Sequence, residues 1–350
     1  MRVLIDTSPL LSGHAHRGVG SYTRNLANEL EKIPGLELAK STNKKDSDCN
    51  PDIIHYPFFD LFFDTLPIQK KTKTIVTIHD VIPLIFPDHY KPGKKGFLRF
   101  LKQKLSLKGV DLIITDSKNS KNDIVKYLKI NPNKISVVYL AANPNLNPAS
   151  QEEILRIKKR FLLPRNYILY VGDINYNKNL PQLIKSLKYL PPTIKLVCVG
   201  KNFIEQDIPE WKWIKTQMAL SDVESRVKFV SNVSADDYES LSSIYSGATA
   251  YVQPSLYEGF GLPVLEAMKC GTPVVCSHNS SLIEVGGERV LFAEPNAESL
   301  ARKIDEIITW SEDQRQDFVK KALKWSESFS WKKTAHQTFK LYQNLLHNEK

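Results

Sequence analysis

Residues 257–275 read YEGFGLPVLEAMKCGTPVV. Gly259 and Gly261 suit a tight turn whose backbone N–H groups can face a ligand, and Pro263 fits the first turn of a helix that carries Glu266. Gly271 falls where a helix commonly closes, and Pro273 stops it ahead of the strand VVCS. A loop that enters a helix N-terminus makes an anion site, for which phosphate is the natural guest. Glu258 and Glu266 stand eight residues apart, one in the loop and one about a turn into the helix, so both can point into one cleft. An isolated pair at that spacing would read as two solvated glutamates. The full punctuated run does not.

Working outward, short β-branched runs alternate with longer amphipathic stretches. RVLID (2–6), DIIHY (52–56), KTIVTIHD (73–80), DLIITDS (111–117), KISVVYL (134–140), YILYVGD (167–173), IKLVCVG (194–200), VKFVS (227–231), ATAYVQPS (248–255), TPVVCS (272–277) and RVLFAE (289–294) are the strand candidates. Nearly continuous apolar strands that alternate with helices imply α/β architecture, with parallel sheets covered on both faces. The alternation breaks around 141–166, where Pro, Asn and Ser crowd into AANPNLNPAS. The pattern therefore predicts two Rossmann-like domains, 1–150 and 151–328, followed by a lone helix over 329–350. Ligands of such sheets bind at the carboxyl ends of the strands, so a cleft facing both sheets is expected.

The composition bounds the function. At 350 residues, with 42% hydrophobic and 25% charged, the chain suits two globular domains and excludes a largely disordered or coiled-coil protein. No apolar run is long enough to span a bilayer, MRVLIDTSPLL does not read as a signal peptide, and four scattered cysteines make neither a disulfide framework nor a zinc ribbon. These features point to the cytoplasm. Residues 1–150 hold 22 Lys+Arg against 14 Asp+Glu, a net +8 of the total +10. Seven of those cations lie in KPGKKGFLRFLKQKLSLK (91–108), which has no acid. On a helical wheel Phe97, Leu98, Leu101 and Leu105 share one side and Lys95, Arg99 and Lys102 the other, with Lys104 inside the apolar arc. Two readings stay open: a sheet-covering helix with a solvated basic face, or a patch that docks peripherally on anionic lipid at the inner face of a membrane.

The 257–275 run resembles the signature of the GT-B glycosyltransferases, specifically the large retaining family numbered four. Further segments match in order: GVGSYTRNL (18–26), TIHDVIPLIFP (77–87), TDSKNSKNDI (115–124), YVGDINYNKNLPQLI (170–184), SLIEVGGERVLFAEP (281–295) and FSWKKTAHQTFKLY (329–342). The resemblance implies an N-terminal acceptor domain, a C-terminal nucleotide-sugar donor domain, and a last helix that crosses back to the N-terminal domain. It assigns Glu266 to the ribose hydroxyls, Glu258 to the donor sugar, and the N–H groups of Phe260, Gly261 and Leu262 to the sugar and pyrophosphate. Lys178 falls on the distal phosphate, Gly18 and Gly20 allow close backbone approach, Val233 lies by the base, and His79 contacts the donor sugar or acceptor region, with Asp80 in reach to fix its tautomer. Many relatives carry an arginine just after the VG turn, where Asp173 and Asn175 stand here. Arg17 is then the candidate compensating cation, or Lys178 acts alone.

The activity so implied is retaining, metal-independent hexosyl transfer from a nucleotide diphosphate sugar to a saccharide or lipid-linked acceptor, with no cofactor and no nucleic-acid partner. GVGSYTRNL, TIHDVIPL and the EVGG segment are most similar to the mannosyltransferase-like branch, which favours GDP-mannose over UDP- and dTDP-sugars. A sugar-nucleotide epimerase of the same fold and a catalytically silent sugar-nucleotide-binding homologue are the alternatives. The aromatics of HYPFFDLFFD (55–64) are open between core and acceptor binding, and the tryptophans of PEWKWIK stay ambiguous.

Overall fold

The structure, a computed structural model, describes residues 1–11, 13, 18–42, 50–234 and 236–347. Among the described residues twelve strands form two sheets of six, and every strand pairing is parallel. The first sheet comprises β1 (Arg2–Asp6), β2 (Glu37–Ser41), β3 (Ile53–Tyr56), β4 (Lys73–Thr77), β5 (Leu112–Thr115) and β6 (Ile135–Val137) in the order β2-β1-β3-β4-β5-β6. The second comprises β7 (Tyr167–Val171), β8 (Lys195–Val199), β9 (Val227–Val230), β10 (Ala250–Gln253), β11 (Val274–Ser277) and β12 (Leu291–Ala293), ordered β12-β11-β10-β7-β8-β9. In such sheets the ligand-binding crevice opens where the strand order reverses, between β1 and β3 in the first sheet and between β7 and β10 in the second.

Chain contacts divide the protein into two units, Met1–Ala141 with Phe329–Lys350, and Ala142–Ser328. The first boundary thus falls nine residues before the expected 150. Residues 142–150 are fastened to the second unit: Asn147 N–H donates to Ser242 Oγ, Ala149 N–H to Ser246 Oγ, and Lys269 Nζ to the carbonyls of Asn143 and Pro144. Ser150 then caps the helix Gln151–Arg160 in a capping box with Glu153.

In the first unit the last helix, Trp331–His347, packs on the helix Gly18–Leu30. A buried chain of hydrogen bonds fixes it to the sheet: Tyr342 OH meets His55 Nδ1 at 2.6 Å, His55 Nε2 meets Thr77 Oγ1 at 2.8 Å, and Thr77 Oγ1 meets Tyr22 OH at 2.9 Å. From the 55–64 stretch, Tyr56, Phe59 and Leu61 enter the core, while Phe63 is left exposed. In the second unit the strands β7, β8 and β10 contribute Ile168, Leu196 and Val252 to a core closed by Leu300, Ile304 and Ile307 of the helix Ala297–Ile308. Their helical spacing places those three on one stripe, and Asn296 caps the helix by accepting from Ser299 N–H. Trp211 belongs to this core, whereas Trp213 is largely exposed.

Two sequence expectations need correction here. β2 was not among the strand candidates, because ELAKS is a half-exposed edge strand with charges interleaved among its apolar residues. The helix Gly93–Ser106 does not turn its apolar side inward: Gly96, Gln103 and Ser106 are its buried residues, and Phe97, Leu98, Leu101 and Leu105 are exposed.

Candidate active site

In the second unit, the segments that follow β7 and β10 meet at the reversal of strand order. Gly172, at φ +152, turns the chain out of β7, and Lys178 follows six residues later. Asn177 and Asn179 stitch this loop to the one after β10. Asn177 Nδ2 donates to Tyr257 O, Leu256 N–H donates to Asn177 O, and Asn179 Nδ2 donates to the carbonyls of Pro254 and Pro295. Asn179 pays for that reach with a left-handed backbone, φ 57, which asparagine tolerates better than most residues.

The stitching brings Lys178 onto Glu258. Lys178 Nζ donates to both carboxylate oxygens, at 2.8 and 2.9 Å. Glu258 is only 5% exposed, and its Oε1 also accepts from Ser255 Oγ at 2.6 Å and Gln253 Nε2 at 2.8 Å. Gln253 Oε1 in turn accepts from Tyr251 OH. The carboxylate is thereby fixed by two side chains from β10 and its exit loop, Gln253 being held in turn by Tyr251, and it fixes the ammonium. Charge-assisted bonds of this kind are shorter and stronger than neutral ones. The sequence reading had placed these two residues on different parts of a ligand, and the structure adds that they hold each other.

Behind the pair runs the signature turn. Gly261 has φ +101, and a Cβ there would lie 2.8 Å from Leu282 Cδ2, so the position demands glycine. The helix Leu262–Lys269 begins at once, with Pro263 in its first turn, and Gly271 closes it at φ +73. Ser281 Oγ braces the turn by donating to the carbonyls of Glu258 and Phe260. Glu266, partly buried, accepts from Tyr245 OH at 2.9 Å. Burial raises its carboxyl above the ordinary range, while the Tyr245 hydrogen bond and the Lys269 charge pull it back. Phe260 is buried, Leu262 is partly exposed, and Val233 lies buried in the segment after β9.

Asp173 has a structural occupation. Its Oδ1 accepts from Asn202 Nδ2 at 2.9 Å and its carbonyl from Tyr170 OH at 2.7 Å, which ties the turn after β7 to the segment after β8. Arg17 lies outside the described residues, as do His14 and His16.

In the first unit, Gly18 and Gly20 form the first turn of the helix Gly18–Leu30. His79 follows β4, and its partner is Asp116 after β5, not Asp80. His79 Nδ1 lies 2.7 Å from Asp116 Oδ2 and Nε2 lies 3.1 Å from Pro57 O. A carbonyl can only accept, so Nε2 carries a hydrogen, and Nδ1 shares a proton with the Asp116 carboxyl. Burial would lower the imidazole pKa, but the Asp116 carboxylate, with a smaller effect from Asp80, outweighs it and the pKa is raised. Burial raises Asp116 as well, and its Oδ1 is buried with no hydrogen-bond partner. Asp80 Oδ1 instead accepts from Ile82 N–H, two residues on. His55 is a buried neutral imidazole whose pKa burial pushes down to about 3.

Residues 151–325 match the model of the glycosyl transferases group 1, and residues 35–146 match glycosyltransferase family 4. The chain is 30% identical over 285 residues to the O-antigen chain mannosyltransferase B of Escherichia coli, which covers 79% of this chain and 72% of that one. The chain belongs to this glycosyltransferase family. The serotype-specific mannosyltransferase WbdA of Escherichia coli is 29% identical over 85% of this chain, which spans only 37% of WbdA's length. Among solved structures, sucrose-phosphate synthase from Thermosynechococcus elongatus aligns with TM-score 0.76 at 20% identity, covering 99% of this chain and 98% of that one. HepE of Anabaena in complex with UDP and glucose aligns with TM-score 0.73 at 18% identity, covering 98% and 99%. These neighbours share the two-domain GT-B fold, so the family places the two parallel sheets in a glycosyltransferase.

Proposed function

We propose that this glycosyltransferase moves a mannosyl unit from GDP-mannose to a saccharide or lipid-linked acceptor, with retention of anomeric configuration and without a metal. The observation that carries the reading is the Lys178–Glu258 pair, set at the carboxyl ends of β7 and β10 beside the N-terminus of the helix Leu262–Lys269. Phosphate belongs at such a helix start. The mannosyl donor is favoured by the relatives, since mannosyltransferase B and WbdA are both named for that transfer.

In this reading Glu266, oriented by Tyr245, accepts from the vicinal ribose hydroxyls, which suit a two-oxygen acceptor. Glu258 holds the ammonium of Lys178 in place and offers its carboxylate to the sugar. As the glycosidic bond breaks, negative charge builds on the leaving diphosphate, and Lys178 stabilises it. A preorganised group of this kind is worth roughly 2.7–4 kcal/mol of transition-state stabilisation. The departing phosphate takes the acceptor's proton, so no second carboxylate is needed as base. His79, held between Asp116 and the Pro57 carbonyl, is a positioned imidazole of the first unit.

Proton NMR of the protein incubated with GDP-, UDP- and dTDP-sugars, with and without EDTA, tests the reading. The expected result is nucleoside diphosphate released from GDP-mannose, insensitivity to EDTA, and a first-formed product with the donor's anomeric configuration. An inverted anomer rules out retention, loss of activity with EDTA rules out metal independence, and preference for a UDP- or dTDP-sugar rules out the mannosyl donor.

A further inference from the structure

The helix Gly93–Ser106 docks on its own unit through small and polar residues. Gly96 is buried, and a Cβ there would meet Phe62 Cβ at 3.8 Å, in ordinary contact. Gln103 Oε1 accepts from Thr65 Oγ1 and Leu66 N–H, both at 3.2 Å. The carbonyl of Ser106 accepts from Lys70 Nζ, and Phe100 meets the ring of Phe62 at 6.3 Å. With these groups facing in, the outward face is apolar: Phe97, Leu98, Leu101 and Leu105 are 54%, 66%, 49% and 47% exposed. A surface helix ordinarily turns its apolar stripe toward the core, and here the stripe points away from it. Phe63, 62% exposed on the neighbouring loop, adds to this surface, with the Arg99 guanidinium 5.5 Å above its ring.

The charge around the stripe identifies the occupant. Lys95 and Lys102 border it, Lys94 and Lys104 fall on its own side of the helix, and residues 91–108 hold seven Lys+Arg with no acid. Lys102 reaches Asp64 at 2.9 Å. A second copy of the chain would set this cationic segment against its own like charges. An anionic bilayer matches both the apolar stripe and its cationic border. Among the described residues no helix is long and apolar enough to cross a membrane, so the contact would be interfacial.

We propose that the helix Gly93–Ser106 lies in the interface of an anionic lipid bilayer, with Phe97, Leu98, Leu101 and Leu105 inserted among the acyl chains and the bordering lysines on the headgroups. This differs from the purely electrostatic patch that the sequence suggested, because apolar insertion survives salt and lysine contacts alone do not. The inference rests on the exposed face and is independent of the donor-site reading.

Co-sedimentation of the full chain with phosphatidylcholine vesicles, with and without phosphatidylglycerol, at about 0.1 M and about 1 M NaCl tests it. Binding to the phosphatidylglycerol vesicles is expected to weaken with salt but not vanish. A Leu101→Gln/Leu105→Gln variant should partition at least about tenfold less at both salt concentrations. A Lys94→Gln/Lys95→Gln/Lys104→Gln variant should lose affinity mainly at low salt. Thermal unfolding with and without GDP, run on the same samples, reads folding and donor-site binding separately from lipid. Absent partition, or undiminished partition of the leucine variant, overturns the proposal. Sedimentation velocity showing a dimer that the leucine variant dissociates also overturns it, because the face then belongs to a second copy.

Discussion

Acidification should loosen the last helix through His55. This imidazole is fully buried between Tyr342 OH and Thr77 Oγ1, and burial pushes its pKa down to about 3. The unfolded chain has the ordinary value of about 6.5, so below that pH the unfolded state binds a proton that the folded state excludes. The sign follows: stability is full above about 6.5 and falls as pH drops toward 3, by about 1.36 kcal/mol per unit. Between pH 8 and pH 4.5 the loss amounts to about 2.7 kcal/mol, or about a hundredfold in an opening equilibrium. His79 works in the opposite direction. Its pKa is raised, so its contribution is complete below about 6.5 and lost only as pH rises through the folded value. Asp116 and Glu266, both raised by burial, favour the folded state on acidification, which makes the comparison with a variant necessary. Hydrogen exchange of peptides from Trp331–His347, corrected for intrinsic rates, should lose about a hundredfold in protection between those pH values. In His55→Gln the starting protection is lower and the pH slope should flatten. An equal slope in the variant and the parent would refute the assignment of the acid sensitivity to His55.

Four further outcomes are expected. Asp116→Asn removes the carboxylate that holds the His79 imidazole, so His79, followed by NMR, should titrate at lower pH than in the parent. Gly261→Ala forces a side chain into φ +101 and against Leu282. It should cost about 1–3 kcal/mol in denaturant titration, and trimming Leu282 to Ala should restore only part of that, since the backbone strain stays. Glu266→Ala should raise the dissociation constant for GDP with little change in turnover at saturating donor, as expected for an anchor shared by ground and transition states. Tyr245→Phe should weaken GDP binding less, by about 0.5–1.5 kcal/mol in calorimetry, because it removes one orienting hydrogen bond.

What the sequence made legible was local. The βα alternation, the Pro263 start and Gly271 end of the signature helix, and the lone final helix all follow from spacing within a few residues, and the structure has them. The partnerships were not local. Lys178 and Glu258 are 80 residues apart and meet only because β7 and β10 are neighbours at the reversal of strand order, a fact about topology that no spacing encodes. Asp116 lies 37 residues from His79, and the adjacent Asp80 was the plausible but wrong partner, since its own side chain closes a turn onto Ile82. The wheel over 91–108 separates an apolar side from a basic side, and the structure turns neither to the core, burying Gly96, Gln103 and Ser106 instead. Which side faces the protein depends on Gln103 finding Leu66 and Thr65, and a wheel holds no such information. Asp173, which stands where many relatives carry an arginine, bonds Asn202 and Tyr170.

The central claim is that charge developing on a leaving diphosphate is stabilised by Lys178 while Glu258 holds that lysine. The rate of GDP release from GDP-mannose, measured for the parent, Lys178→Ala, Glu258→Gln and the double variant, tests it most directly. Each single variant should be slower by about 10²–10³, and the double variant little worse than either, because one charged pair does the work. Release at the parental rate from Lys178→Ala, or losses in the two single variants that simply multiply in the double, would contradict the account.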